Sequence, residues 1–285
     1  MIRFPPKRIL VAYDLSDVSR TAWRHAAALA AACGAALEAV YVAPWQRGDD
    51  LMPQPDLTPA QAAQLRDKIR AAIGNGTKIT ILQGDPAASI LNCAKRRSAE
   101  LIVVGTHGRT GLKRALLGSV AEAVIRAAAV PVLAARGQPR AIASILAPVN
   151  FMPYSDYGFA YAAAASAALS ARLTVLHVTD DPIWGGNPAF SISSLLHHLP
   201  VEIRKKCRAS MASAVGDAVK GILTAKRGHD WIVLVAHDKS PIKDVFFGTT
   251  LEQVLRRSSI PVLSVPALED LSHAGHRQPR RASVY

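Results

Sequence analysis

Leu101-Ile102-Val103-Val104-Gly105-Thr106-His107-Gly108 decides the fold, together with the downstream run Gly118-Ser119-Val120-Ala121-Glu122. Four consecutive apolar residues with no polar alternation imply a strand buried on both faces, as in a parallel sheet covered by helices. The glycines after it allow positive φ and bring bare backbone N–H groups close to whatever lies there. Ser119-Val120-Ala121-Glu122 reads as a capping box, which puts the helix start at Ser119. Strand, glycine-rich loop and helix start together form an anion site, because free amides and the positive end of the helix dipole converge there. A dipole term of about 0.3–1 kcal/mol is far short of the roughly 8 kcal/mol that micromolar affinity requires, so further donors and a buried base are needed. Arg109 and Lys113 are placed in sequence to add charge. The alternative is that the glycines shape tight turns and Ser119 is only a cap.

Working outward from this stretch, the same wording occurs twice. Ile9 to Asp14 returns as Ile145 to Asn150, 136 residues on. Gly84-Asp85 returns as Gly216-Asp217, Leu101 to Gly105 as Ile232 to Ala236, and Val130-Pro131-Val132-Leu133 as Ile260-Pro261-Val262-Leu263. A period of this size is that of a domain, not of a solenoid. In the first copy, strands are expected near 8–13, 37–42, 78–83, 101–105 and 130–134, and helices near 19–33, 59–74, 86–97 and 119–129. Alternating strands and helices give βαβ units with right-handed crossovers. The expected fold is α/β: two tandem, doubly wound, five-stranded parallel-sheet domains of Rossmann-like type. They span 1–137 and 143–266, with a loose basic tail over 267–285. Arg208 to Ala214 is assigned to the third strand of the second copy only by analogy, since its residues are poor strand formers.

The 285 residues suit about two domains, and 50% hydrophobic with 19% charged residues suits a real core. Cys33, Cys93 and Cys207 are few, far apart and without a CxxC, which argues against disulfides or zinc and for a reducing, cytoplasmic setting. No signal peptide is apparent, and the alanine-rich stretch 160–171 is too short to cross a bilayer. The +13 charge is spread out: 18 basic against 10 acidic residues in 1–137, and 16 against 11 in the rest. With only 6% aromatics and short basic clusters, it suits general attraction for polyanions and not a specific nucleic-acid site. P-loop, dinucleotide, G-x-S-x-G and H-E-x-x-H signatures are missing from the sequence, so no catalytic or metal-ligating residue is assigned. His107 reads as a solvated loop histidine, and Trp23 and Trp231 as core.

Gly105-x2-Gly108-x9-Gly118-Ser119 resembles, at every defined position, the G-x2-G-x9-G-[ST] nucleotide motif of the universal stress protein family. Asp14 with Ser16 and Ser19, Gly84-Asp85-Pro86 and Val130-Pro131-Val132-Leu133 extend the resemblance along nearly the whole chain. The resemblance implies a protein that binds ATP, with Mg2+ on its phosphates. By position, Asp14 and Val42 flank the adenine and ribose. Gly105 and Gly108 hold the ribose–phosphate turn, and Gly118, Ser119 and Val120 cradle the triphosphate; Arg109, placed to add charge, is counted with the cofactor-binding residues. It also implies pairing of such domains through their last strands, within one chain or in a homodimer. The expected role is regulatory, a stress-response protein whose nucleotide occupancy alters conformation or partner binding. A nucleotide-independent interaction module and a slow ATPase are the alternatives. In the second copy Asn150 replaces Asp14, and Ala236 and Lys239 replace Gly105 and Gly108, while Gly248-Thr249 persists. The expectation is one good site in the first half. The rival is that Lys239 contacts phosphate and both halves bind.

Overall fold

The computed structural model describes residues 4–43, 57–106, 117–152, 154–180, 192–236 and 249–267. The first copy runs β1 (Arg8–Ala12), α1 (Asp17–Cys33), β2 (Ala36–Ala43), α2 (Pro59–Ile73), β3 (Lys78–Gln83), α3 (Pro86–Arg96), β4 (Leu101–Gly105), α4 (Ser119–Ala127) and β5 (Val132–Ala135). The second runs β6 (Ser144–Val149), α5 (Ser155–Leu169), β7 (Arg172–Thr179), α6 (Ile192–His197), α7 (Val201–Lys206), β8 (Arg208–Val215), α8 (Ala218–Ala225), β9 (Trp231–Ala236), α9 (Thr249–Arg257) and β10 (Val262–Pro266).

The repeated words in the sequence have local physical causes. In Gly84-Asp85 and Gly216-Asp217 the glycine takes φ +138° or +113°, and the aspartate caps the next helix through Ala88 N or Lys220 N. In Val-Pro-Val-Leu and its second-copy counterpart the proline precedes the strand, and its carbonyl accepts from Ile102 N (3.0 Å) or Ile232 N (3.1 Å). Strand β5 therefore starts at Val132, two residues later than the apolar run suggests.

All ten strands form one sheet in the order β3-β2-β1-β4-β5-β10-β9-β6-β7-β8. Within each copy the pairs are parallel; the copies join antiparallel, Val262 opposite Ala134 and Ser264 opposite Val132. Residues 208–215 do form a strand, paired with β7 along all eight residues, so pairing overrides the weak strand propensity. One core lies on each face of the sheet. The first gathers α1 and α5 around Tyr13, Phe159 and Trp231; the second gathers α3, α4, α8 and α9 around Ile102, Ile125 and Ile232. Trp23 is 9% exposed and Trp231 1%, so both are core. Among the described residues no helix is long and apolar enough to cross a membrane. The tail beyond 267 lies outside the described residues.

Candidate functional site

In a doubly wound sheet, ligands bind beyond the carboxyl ends of the strands, where the strand order reverses. In the first copy that point lies between β1 and β4, which pair through Val11 and Val103. Asp14 follows β1 here. Its backbone N donates to Ser19 Oγ (3.2 Å), and its Oδ1 accepts from Ser16 N (3.0 Å) and from Ser16 Oγ. Leu15 takes φ +68° to make the turn. Ser16 also caps α1, accepting from Ser19 N, so the same three residues start the helix and fix the carboxylate.

Val42 lies near the carboxyl end of β2, half-buried, opposite Leu82 of β3. Gly105 ends β4. A Cβ added there would lie 2.7 Å from Val18 Cγ1 and 3.0 Å from the Val18 carbonyl oxygen, so the first turn of α1 rests directly on it. The glycine is thus required by packing as well as available for close approach. Neither Val18 nor its contact was legible in the sequence, since nothing local links residues 18 and 105.

Gly118 N donates to the Thr106 carbonyl at 2.8 Å, which ties the residue after β4 to the residue before α4. Helix α4 then begins, and here the structure corrects the capping-box reading. The N-cap is Gly118 (φ −64°, ψ 141°), which has no side chain to cap with, and Ser119 is the first helical residue. Instead of turning to Ser119, Glu122 pairs with Arg126 (3.0 Å) and Arg256 (3.2 Å). Among the described residues no side chain caps the first-turn amides beside exposed Ser119 and half-buried Val120, and such amides suit an anion. Gly108 and Arg109, with His107 and Lys113, lie outside the described residues.

The second copy repeats the first turn with an amide. Asn150 N donates to Ser155 Oγ (3.3 Å), Asn150 Oδ1 accepts from Met152 N (3.2 Å) and Ser155 Oγ, and Phe151 takes φ +55°. Asn150 Nδ2 has an additional partner, the Tyr154 hydroxyl at 2.5 Å, and Tyr154 stands where the first copy has Val18. Ala236 ends β9 and α9 begins at Thr249, while Lys239 and Gly248 lie outside the described residues.

An adenine nucleotide fits this donor set. Bare amides at α4 suit phosphate, Asp14 suits hydroxyl donors of a sugar, and half-buried Val42 offers an apolar wall. Among the described residues no group of three or more histidine, cysteine or acidic side chains could hold a metal ion.

These features define a tandem α/β protein of Rossmann-like architecture. The family model for the universal stress protein family matches residues 5–136 and again 142–266. The chain belongs to the universal stress protein family. A universal stress protein of Methanocaldococcus jannaschii is 36% identical over 139 residues, covering 45% of this chain and 80% of that protein. One from Thermus aquaticus is 36% identical over 137 residues, covering 46% and 98%. The crystal structure of a universal stress protein from Archaeoglobus fulgidus superposes with a TM-score of 0.72, covering 93% of this chain and all of the other. At 20% identity that likeness concerns the fold.

Proposed function

We propose that residues 1–137 bind ATP with Mg2+ on its phosphates, and that occupancy regulates the protein's conformation or its partners in the cytoplasm, without catalysis. One observation carries this reading: Asp14, Gly105 and the first turn of α4, whose cap position is a glycine, follow the two strands at which the strand order reverses. Asp14 and Val42 hold the nucleoside, Gly105 and Gly108 allow the backbone to approach, Arg109 adds charge, and Gly118, Ser119 and Val120 hold the phosphates. Bound phosphate changes the charge at the N-terminus of α4, whose Glu122 bridges to Arg256 of α9. Residues 143–266 serve as the partner domain, because an uncharged amide, bonded to Tyr154, stands at 150 where the first copy has the Asp14 carboxylate.

Ser119→Glu is the sharpest test. A carboxylate in the first turn favours the helix dipole by about 0.3–1 kcal/mol, so the fold is retained, yet it repels phosphate. Mg-ATP should raise the melting temperature of the wild type and leave Ser119→Glu and Gly108→Val unmoved. The competing reading, an interaction module that needs no nucleotide, draws on the Val18 contact, which explains Gly105 by packing alone. No thermal shift with Mg-ATP in the wild type would favour it.

A further inference from the structure

Four large apolar side chains are exposed among the described residues, and three of them fall within residues 201–215: Val201 (45% exposed), Met211 (37%) and Val215 (64%). Met211 and Val215 belong to β8, an outermost strand; Val201 opens α7, the helix leading into it. Side chains alternate along a strand. Ala209 packs against the α5 core, so Met211 and Val215 share its face, while Ala212 and Ala214 pack on the opposite one. One edge of β8 is paired with β7 along its full length; among the described residues nothing bonds to the other.

Sheet edges in natural proteins are guarded by lysine, proline, bulges or inward charge. From Ala209 to Val215 the strand has no charged residue and no proline. Both edge strands open on a cation, but Lys78 of the opposite edge, β3, is ion-paired with Glu38 at 3.3 Å. Just ahead of the bare edge stand Arg204, Lys205, Lys206 and Arg208, all exposed. Among the described residues none of the four is in an ion pair.

We propose that β8 is a docking edge for an extended acidic peptide segment of a partner protein, which adds a strand to the sheet. Main-chain hydrogen bonds along 209–215 would hold it, apolar residues on one of its faces would meet Met211 and Val215, and its carboxylates would meet the cations at 204–208. A second copy of this chain is the poorer occupant, because it brings the same basic segment and a net charge of +13.

The test uses the full chain and a labelled peptide, a glutamate run followed by alternating valine and threonine, read by fluorescence anisotropy. Binding in the micromolar range is expected, with a lysine-run version at least about tenfold weaker. Arg204→Glu combined with Lys205→Glu, and separately Val215→Lys, should each weaken binding several-fold and leave the Mg-ATP thermal shift unchanged. Outward amides of 209–215 should exchange rapidly in the free protein and slow when the peptide binds. Equal binding of both peptides overturns the proposal. So does protection of 209–215 in the free monomer, which would mean the chain covers its own edge. Self-association that Val215→Lys abolishes overturns it as well, by making a second copy the occupant.

Discussion

A single hydrogen-for-methyl exchange at Gly105 separates packing from ligand binding. The obstacle to a side chain there includes the Val18 carbonyl oxygen, and backbone cannot swing aside as a side-chain tip can. Gly105→Ala should therefore cost about 1–3 kcal/mol in denaturant unfolding, even without nucleotide. A loss below a few tenths would mean that α1 adjusts freely. His25 supplies a second residue-scale expectation. It is 6% exposed on α1, and its Nε2 lies 3.0 Å from the Arg136 carbonyl and 3.2 Å from that of Gly137, at the segment joining the two copies. Burial pushes its pKa below 6.5, only partly offset by the two carbonyls. The unfolded chain thus binds the proton more readily, and the stability due to neutral His25 is present above about pH 6.5 and lost as pH falls. Unfolding free energies measured from pH 7.5 to 5 should fall less steeply in His25→Gln than in the wild type.

The helices differ in what starts them. Asp85 accepts from Ala88 N at 2.8 Å, whereas α4 has Gly118 at its cap position and Ser119 one residue inside. Asp85→Ala should cost about 1 kcal/mol and Ser119→Ala under about 0.5 kcal/mol by thermal unfolding without ligand. Comparable losses at the two positions would restore Ser119 as the cap. This is where the sequence was misleading: an S-x-x-E pattern specifies a helix start only to within a residue. Gly118 takes the cap position because its N–H is held by Thr106, and Glu122 is drawn away by Arg126 and Arg256. Strands buried on both faces, such as β4, were legible because every residue must be apolar. Edge strand β8 was not, since small, half-exposed residues carry no such signature, and only the internal repeat placed it. Asp14, Val42, Gly105 and Gly118 were legible as positions at or after strand ends. Val18 against Gly105 and Tyr154 against Asn150 were hidden, because such contacts depend on how α1 and α5 sit on the sheet.

At the scale of the molecule, β5 and β10 fuse the two copies into one sheet, and the buried runs Val132–Ala135 and Val262–Val265 make each copy's last strand part of the other's core. Thermal unfolding should therefore show one transition, not two separable ones. Above that seam Arg256 reaches both Glu252 (2.9 Å) and Glu122 (3.2 Å). These side chains retain a sixth to a quarter of their exposure, so a double-mutant cycle on Glu122→Ala and Arg256→Ala should give a coupling of at most about 1 kcal/mol. The repeat is nearly symmetric in fold yet unequal in chemistry, with a carboxylate at 14 and a tyrosine-bonded amide at 150. Calorimetric titration of the full chain with Mg-ATP puts that inequality to the test. The expected result is saturable binding at one nucleotide per chain, lost in Ser119→Glu and retained in Asn150→Ala. No binding, or a saturation of two per chain that survives Ser119→Glu, would contradict it.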